Sequence, residues 1–349
     1  MRHIVLDTEV FRRENLAFDS ARFQRLAELV EENEIEIHLT DVTYEEVRRA
    51  IAEQVRIGMQ TLRQEPIRRA LNVIAHGAVP KLKELLGDID ESDIVTSLLK
   101  EFDDLLESLD ANIIGTDDVP MKEVRERYFR GVPPFGHRSD KKHEFPDAIS
   151  VVAIQAWAAT QAEAVVVVSA DTGIAAAVEA MTGVQHAKEL RNVIDFVLRR
   201  MSVVEDPDAL LKAKEAEIKG RVKEHFEGLG FYVDGEWGEV VDVNVRSIDL
   251  GTAYLGDRKG DLVTLEFEAE VRYTAELSFD DPTQTAYDSE TGDTYVFGST
   301  SETVRDSTYL EGEVEIEVDT NDLSRSQVRS VFMSASDIGV PAPREPDYK

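Results

Sequence analysis

Cysteine is absent from the 349-residue chain. This absence excludes disulfides, zinc ribbons, iron–sulfur clusters and a cysteine nucleophile. Long hydrophobic runs are also missing, since none approaches the roughly 18 apolar residues that a membrane-spanning helix needs. The N-terminal apolar segment ends in charge and has no small-residue cleavage site, so it predicts a first strand and not a signal peptide. We therefore expect a cytoplasmic protein without membrane association.

Basic residues are scarce. The chain has 39 Lys and Arg against 70 Asp and Glu, a net charge of −31, and the part from Val203 onward holds 14 basic and 34 acidic residues. Because nucleic acids are bound mainly through their phosphates, a role on nucleic acid requires a local basic patch. Such acidity also suits a salt-rich cytoplasm or high solubility. The 42% hydrophobic content indicates a folded core, in one large domain or two.

Residues 1–202 alternate between strand and helix patterns. Short apolar runs predict strands at His3–Leu6, at residues 35–39 and at Val165–Val168, and the last is β-branched throughout, as in a strand buried on both faces. Helical patterns separate these strands, which predicts an α/β domain with a parallel sheet. Residues of about 53–130 look mostly helical and are expected to form an insertion.

Residues 203–349 predict a second, β-rich α+β domain. One helix is expected at Pro207–Leu229. Strand patterns follow, above all at Val263–Phe279, where every odd position is apolar. The even positions, including Glu266, Glu268 and Glu270, are expected to face water. A strand of this length exceeds the usual range, so a bend or bulge is expected within it. The tail after residue 339 is expected to be loose.

Four acidic residues occupy related positions in the predicted α/β domain. Asp7 and Asp171 end two predicted strands, and Glu46 and Asp147 lie in the first turns of predicted helices. Ligands of parallel sheets bind at such ends, so these residues are expected to converge. Clustered carboxylates repel one another and raise each other's pKa, which a hard divalent cation relieves. Ligation by oxygen atoms alone is typical of Mg²⁺ or Mn²⁺.

Each acid also has a purely structural interpretation. The sequence Thr43-Tyr44-Glu45-Glu46 fits a capping box, in which Glu46 bonds only to the backbone of Thr43. The helix dipole alone favours Asp147 in a first turn. Asp171 is suited to cap the next helix, and Asp7 to end a strand in a turn. For the set of four together, the family resemblance that follows favours a metal site over these alternatives.

The set resembles the PIN domain family of metal-dependent nucleases over residues of about 1–200. The similar segments occur in the family's order: Ile4-Val5-Leu6-Asp7-Thr8-Glu9-Val10-Phe11, Val42-Thr43-Tyr44-Glu45-Glu46-Val47, His143-Glu144-Phe145-Pro146-Asp147-Ala148 and Val166-Val167-Val168-Ser169-Ala170-Asp171. The resemblance implies that Asp7, Glu46, Asp147 and Asp171 are catalytic metal ligands. Thr8 and Ser169 would bear supporting hydroxyls on the substrate side. The family most often implies endoribonuclease activity, with 5′-nuclease relatives that act on DNA.

The chain departs from the family pattern in three places. The family commonly has Asn two residues after the first Asp, where this chain has Glu9. About 100 residues separate Glu46 from Asp147, more than in compact members, so the extra helices are expected to form a lid or a partner surface. Residues 203–349 match no family that we can name.

A local basic segment does exist. Residues 120–143 hold seven basic and three acidic residues, and the segment leads into the predicted helix of Asp147. We interpret it as the nucleic-acid contact, with Arg138, Lys141 and Lys142 binding substrate. Tyr128, Phe129 and Phe135 interleave with the charges and suit stacking on bases. The alternative is a solvated helix face followed by an ordinary loop.

Three functional hypotheses follow. The first is a Mg²⁺- or Mn²⁺-dependent nuclease that acts on RNA more readily than on DNA. The second is a catalytically inert PIN-like scaffold that binds a protein partner through its acidic C-terminal sheet. The third is a toxin ribonuclease held by an antitoxin, which the length of the chain disfavours. Homo-oligomerisation is left open by the sequence.

Overall fold

The computed structural model describes residues 2–65, 67, 90–136, 144–234, 238–280, 285–287, 294–296 and 298–342. The chain divides into two compact units, Met1–Ile194 and Asp195–Lys349. The domain limits drawn from the sequence, with a boundary after residue 202, stay a prediction. Among the described residues, none of the helices combines the length and the apolar character needed to cross a bilayer.

The first unit contains a parallel sheet. Its strands are β1 (His3–Leu6), β2 (Glu36–Thr40), β3 (Asn112–Ile114), β4 (Val165–Val168) and β5 (Val184–Ala187). The described helices of this part of the chain are α1 (Thr8–Arg13), α2 (Ala21–Glu31), α3 (Asp41–Leu62), α4 (Glu91–Ser108), α5 (Met121–Arg130), α6 (Phe145–Ala158), α7 (Thr172–Glu179) and α8 (Leu190–Met201). The strand order is β3-β2-β1-β4-β5, and every pairing is parallel. The predicted α/β class is confirmed.

Two strands of this sheet were not predicted from the sequence. Strand β3 lies inside the segment expected to be a helical insertion, and it is only three residues long. Strand β5 contains Gln185 and His186, so it has no continuous apolar run. Both are edge strands, which pair on one side only and need less apolar sequence than the central strands β1 and β4.

Layers of apolar side chains cover both faces of the sheet. The residues of β4 and Ile4, Val5 and Leu6 of β1 are almost completely buried. Val5, Val165 and Val167 pack with apolar residues of α6 and α7. Successive side chains in a strand point to opposite faces, so the strand residues next to these three point to the other face of the sheet. Elsewhere in the core, the ring of Phe11 lies 5.5 Å from Phe23 and 5.4 Å from Phe102.

The second unit is mainly antiparallel. Its helices after α8 are α9 (Pro207–Ala213) and α10 (Glu215–Glu227), and its strands are β6 (Gly230–Asp234), β7 (Glu239–Leu250), β8 (Tyr254–Lys259), β9 (Leu262–Asp280), β10 (Thr285–Tyr287), β11 (Thr294–Val296), β12 (Ser299–Glu317), β13 (Gln327–Met333) and β14 (Asp337–Pro341). The main sheet has the order β13-β12-β9-β7, and β8 also pairs with β9. Strand β10 pairs with β11, and β6 pairs with β14. A β-rich second region was predicted and is confirmed.

Strand β9 shows the predicted alternation on its apolar face. Its odd positions from Val263 to Leu277 are buried. Helix α10 packs over this face, and the ring of Phe226 lies 5.3 Å from that of Tyr273. Gly312 of β12 pairs with Phe267, and a Cβ at this glycine would lie 2.7 Å from the Phe267 ring. The aromatic ring therefore requires glycine at the facing position.

The polar face and the register of β9 differ from expectation in two respects. Glu266 is buried and not exposed, because it lies beside Gly256 of the neighbouring strand β8. The pairing of β9 with β12 runs for 19 residue pairs without a register shift. The shifts occur instead in its other partners, around Val241 and Arg246 of β7 and at Gly256 of β8. The expected bulges are therefore in the neighbouring strands, where an extra residue absorbs the twist.

Two further predictions for this unit need correction. The helix expected at Pro207–Leu229 is two helices, because the backbone of Lys214 leaves helical geometry between α9 and α10. The tail expected to be loose after residue 339 begins with Val340 and Pro341 in β14, which pairs in parallel with β6, and residues 343–349 lie outside the described part of the chain. Strands β10 and β11 pair antiparallel, and the residues between them, 288–293, lie outside the described part of the chain.

Candidate active site

The order of the strands places Asp7 and Asp171 next to each other. The chain runs outward from β1 to β2 and β3, and then returns to add β4 on the other side of β1. A crevice forms at such a switch point, outside the carboxyl ends of the two central strands. Asp7 directly follows β1, and Asp171 lies three residues after β4. The predicted convergence of these two residues therefore follows from topology.

Glu46 and Asp147 reach the same crevice from two helices. Asp147 lies in the first turn of α6, and Glu46 lies near the start of α3. Together with Asp7 and Asp171, they line one cleft with a volume of about 480 Å³. All four acids that the sequence singled out are thus brought together, although 164 positions separate the first from the last.

Two hydroxyl groups hold the carboxylates in place. Ser169 donates its hydroxyl to Asp7 Oδ2 at 2.7 Å, and its Oγ accepts the backbone N–H of Asp171 at 3.0 Å. Thr8 donates its hydroxyl to Glu46 Oε2 at 2.8 Å. Both side chains are buried. In this structure they contact the acids directly and fix their rotamers.

The alternative structural interpretations fare differently at Glu46 and Asp171. Helix α3 begins at Asp41 with Thr40 as its N-cap, so Thr43 is already inside the helix. The capping-box interpretation of Glu46 is therefore wrong. Asp171 does cap α7, because its Oδ1 accepts the backbone N–H groups of Gly173 and Ile174. This cap fixes the orientation of the carboxylate at the cleft.

The crowding of negative charge changes the acidity of the site. Burial raises the pKa of Asp147 to about 7, and the charges of Asp7, Glu46, Asp171 and Glu144 add to the shift. At neutral pH about half of this side chain is therefore protonated when no cation is present.

Asp7 is shifted in the same direction. Burial raises its pKa to about 6, against the lowering effect of the hydrogen bonds from Ser169 and the Thr8 backbone. The charges of Glu46 and Glu9 raise it further. Shifts of this kind in a cleft are typical of functional sites, because the protein keeps charges together at a cost in stability.

The set of donor atoms fits a hard divalent cation. The four acids offer carboxylate oxygens only, the ligand type that Mg²⁺ and Mn²⁺ prefer. Within the part of the chain that the structure describes, no three of these acids bring ligand oxygens within 4.8 Å of one another. The site is an open cleft and not a closed cage. This suits Mg²⁺, which usually keeps several waters and binds through one or two carboxylates.

Two basic side chains at the cleft were not identified from the sequence. Arg12 and Arg49 line it together with Glu9 and Glu53. Arg12 lies 3.3 Å from the carboxylate of Glu9, the residue that replaces the family's Asn. Arg49 and Glu53 follow Glu46 at helical spacing on α3, so they share its face. This periodicity relates Arg49 to Glu46 in the sequence, whereas no such signal relates Arg12 to it.

The predicted substrate-binding residues Arg138, Lys141 and Lys142 lie outside the described residues, as does His143. The aromatic residues of the basic segment have different environments. Phe135 is buried against Val124 and Ala148, so its predicted role in stacking on bases is wrong. The ring of Tyr128 packs 5.1 Å from that of Phe145. Phe129 is 77% exposed.

Comparison with known proteins agrees with this geometry. Residues 4–174 match the family model of the PIN domain, a span that contains all four acids. The first part of this chain is a PIN domain. PIN domains are generally nucleases and are typically dependent on a divalent metal. No curated protein and no solved structure matches the chain. The C-terminal region is unrecognised.

Proposed function

We propose that this protein is a metal-dependent endoribonuclease whose PIN domain uses Asp7, Glu46, Asp147 and Asp171 to hold Mg²⁺ or Mn²⁺. The observation that carries the proposal is the electrostatic coupling of these acids in one cleft. Asp147 has its pKa raised to about 7 by burial and then by the charges of the other three. Binding of a divalent cation relieves this repulsion and deprotonates the site.

The roles of the residues follow from their contacts. When bound, a divalent cation would polarise the phosphodiester and lower the pKa of a water nucleophile. Ser169 and Thr8 keep Asp7 and Glu46 in one orientation, and the helix cap does the same for Asp171. Arg49 is exposed at the cleft and is positioned to contact a substrate phosphate.

RNA is the proposed substrate in preference to DNA, because PIN domains often act on RNA. Binding is assigned to the basic segment that precedes α6, with Arg138, Lys141 and Lys142 contacting phosphates. Exposed Phe129 at the end of α5 is available to stack on a base. The cleft itself is acidic, so we expect substrate to bind weakly there until a cation is present.

A second candidate function is an inert scaffold that binds a basic protein partner. The supporting observation is the row of exposed glutamates at alternate positions of β12, namely Glu311, Glu313, Glu315 and Glu317. Alternate residues of a strand lie on the same face, so the charges of these glutamates add, with Glu317 offset by its ion pair with Arg329. An inert scaffold has no need for carboxylates coupled in a cleft, which favours the nuclease.

A cleavage assay separates the two candidates. Single-turnover rates are measured on labelled RNA and on DNA of the same sequence, with Mn²⁺ and with chelator. We expect metal-dependent cleavage of RNA and a loss of at least about 100-fold in Asp147→Asn. Glu276→Gln is the matched control, since it removes the same charge from an exposed position of β9.

The other outcomes are equally informative. Cleavage of DNA alone would contradict the assignment of RNA while leaving the site intact. Equal rates in the wild type and in Asp147→Asn would exclude the proposed site. Failure to cleave either substrate, with the protein folded and cation bound, would favour the scaffold.

A further inference from the structure

A second group of metal-ligating side chains lies towards the amino ends of strands β1 and β2, whereas the acidic cleft lies at the carboxyl ends of the central strands. His3 is the first residue of β1, and Glu36 and His38 are alternate residues of the neighbouring strand β2. Glu36 pairs directly with His3 in the register of the two strands. In the described part of the chain, they are the only group of three or more His or acidic residues whose ligand atoms all lie within 4.8 Å of one another.

The distances between the donor atoms match those of a tetrahedral metal centre. His3 Nδ1 lies 3.2 Å from His38 Nε2 and 3.2 Å from Glu36 Oε2. A zinc ion with bonds of about 2.0–2.1 Å places tetrahedral ligand atoms about 3.3–3.4 Å apart. Two edges of the required tetrahedron are therefore present without any movement of the side chains.

Hydrogen bonding alone accounts for this arrangement incompletely. Both short contacts converge on a single atom, His3 Nδ1, which carries at most one proton. One N–H group donates a strong hydrogen bond to one of the two acceptors and not to both. A cation that accepts a lone pair from each of the three atoms satisfies all of them at once.

We propose that His3, Glu36 and His38 form a binding site for a divalent transition metal ion, Zn²⁺ in preference to Mg²⁺. Two imidazoles and one carboxylate are a ligand set that zinc uses when its fourth position is taken by water or substrate. Mg²⁺ disfavours nitrogen ligands and selects the oxygens of the acidic cleft instead.

Neighbouring side chains support and orient this site. Arg2 Nε lies 2.7 Å from Glu36 Oε1, which leaves Oε2 directed towards His3. The ring of Trp157 lies 4.5 Å from the His38 ring and 5.6 Å from the His3 ring, so it limits the rotation of both. Second contacts of this kind fix the geometry of metal ligands. His38 is buried, whereas 38% of the Glu36 side chain is exposed and opens a route to solvent.

This site is separate from the proposed nuclease site. His3 begins β1 and Asp7 follows its end, so the strand rise places them about 13 Å apart. A single metal ion therefore cannot bind ligands from both sites. The inference stands independently of the proposed nuclease activity, and each site is removable without the other.

Spectroscopy with Co²⁺ as the probe tests the site. Co²⁺ is titrated into the full chain carrying Asp147→Asn, which disables the acidic cleft. We expect visible absorption with the intensity of four-coordinate Co²⁺ at one equivalent, and its displacement by one equivalent of Zn²⁺. Adding His38→Gln should abolish the absorption and weaken binding by at least about 100-fold, and Glu36→Gln should weaken it about 10-fold or more.

Controls keep the test decisive. Glu32→Gln removes an exposed charge from the segment before β2 and should leave the titration unchanged. Circular dichroism checks the fold of each variant. If His38→Gln fails to fold, Glu36→Gln carries the test, because this side chain is partly exposed. Absence of the four-coordinate absorption, or equal affinity in folded Glu36→Gln and its parent, would overturn the proposal.

Discussion

The two units of this protein use the same residue type in opposite ways. In the first unit, four carboxylates far apart in sequence meet in one partly buried cleft. In the second unit, glutamates close in sequence occupy alternate, exposed positions of β12, where successive ones are about 6.8 Å apart along the strand. Density of acidic residues along the chain is therefore a poor guide to density in space.

The difference shows what makes a carboxylate available for chemistry. Water screens the exposed glutamates of β12 from one another, so their repulsion is weak. Asp7 and Asp147 are shielded from water, and burial is the largest cause of their raised pKa values. Burial and convergence together raise the pKa of a carboxylate, whereas exposure leaves its charge screened by water. Four measurements test this contrast.

The largest expected effect is on cleavage by the first unit. Asp7→Asn removes the negative charge of a proposed cation ligand and leaves Ser169 with only a neutral amide acceptor, so we expect the single-turnover rate to fall by about 10³-fold. Glu315→Gln in β12 makes the same change of charge and should leave the rate unchanged. An active Asp7→Asn variant would show that the crowded acids have no catalytic use.

The next effect concerns the stability of the second unit. Phe267→Ala removes a buried ring from the apolar face of β9, and we expect a loss of about 3–5 kcal/mol in the free energy of unfolding. Glu276→Ala, on the exposed face of the same strand, should change it by less than about 0.5 kcal/mol. Urea unfolding followed by circular dichroism measures both. Equal losses would mean that the two faces of β9 are wrongly assigned.

A smaller effect is expected from cation binding to the first unit. With Mg²⁺ at 100 times its dissociation constant, the free energy of unfolding should rise by about 2.7 kcal/mol. Asp147→Asn should lose most of this gain. The chain has two tryptophans, so Trp157 fluorescence in a Trp237→Phe background reports on the first unit alone. Stabilisation of equal size in Asp147→Asn would place the cation elsewhere.

The smallest effect is a dependence of stability on pH without metal. Asp147 has a pKa of about 7 against a value of 3.8 for an unperturbed Asp, so the folded chain binds more protons between these values. Stability due to this group is present below about pH 4 and is lost as pH rises towards 7. We expect Asp147→Asn to be more stable than the wild type by about 1–2 kcal/mol at pH 8, and by little at pH 4.

Titration of His38 also changes the stability with pH. The wild type and Asp147→Asn are therefore compared by the difference between their free energies of unfolding at each pH. Burial lowers the pKa of His38 to about 4, with the charge of His3 adding to the shift, so its stability contribution is lost as pH falls from about 6.5. This trend is opposite in sign to that of Asp147. It is the same in the wild type and in Asp147→Asn, so it cancels in the difference. A constant difference from pH 4 to pH 8, measured with chelator present, would contradict the raised pKa of Asp147.

Much of the fold was predictable because its signals are local. The β-branched run at Val165–Val168 and the alternation of β9 both report burial through neighbouring residues. The failures lie where local signals are weak or ambiguous. The three-residue strand β3 carries too little pattern to be recognised, and the break at Lys214 interrupts an otherwise continuous helical periodicity.

The candidate site was predictable in part for the same reason. Asp7 and Asp171 follow recognisable strands, so the sequence indicated that both lie at the carboxyl ends of the strands. The face that a side chain occupies depends on distant partners, which is why Phe135 was wrongly expected to contact bases and is buried in the core. The cleft positions of Arg12 and Arg49 were missed because only the completed fold brings α1 and α3 to one cleft.

The sequence by itself determined most of the segments that become strands and helices, and it determined that acidic residues stand at the ends of the central strands. Steric and hydrophobic preferences with a period of two or 3.6 residues act over a few neighbours, so they can be read from the chain. Only the tertiary structure decided which acids share a cleft, how far their pKa values rise, and that Glu36 meets His3 across two strands. Those properties depend on burial and on distances of a few ångströms between remote residues, and electrostatic coupling appears only when folding creates both.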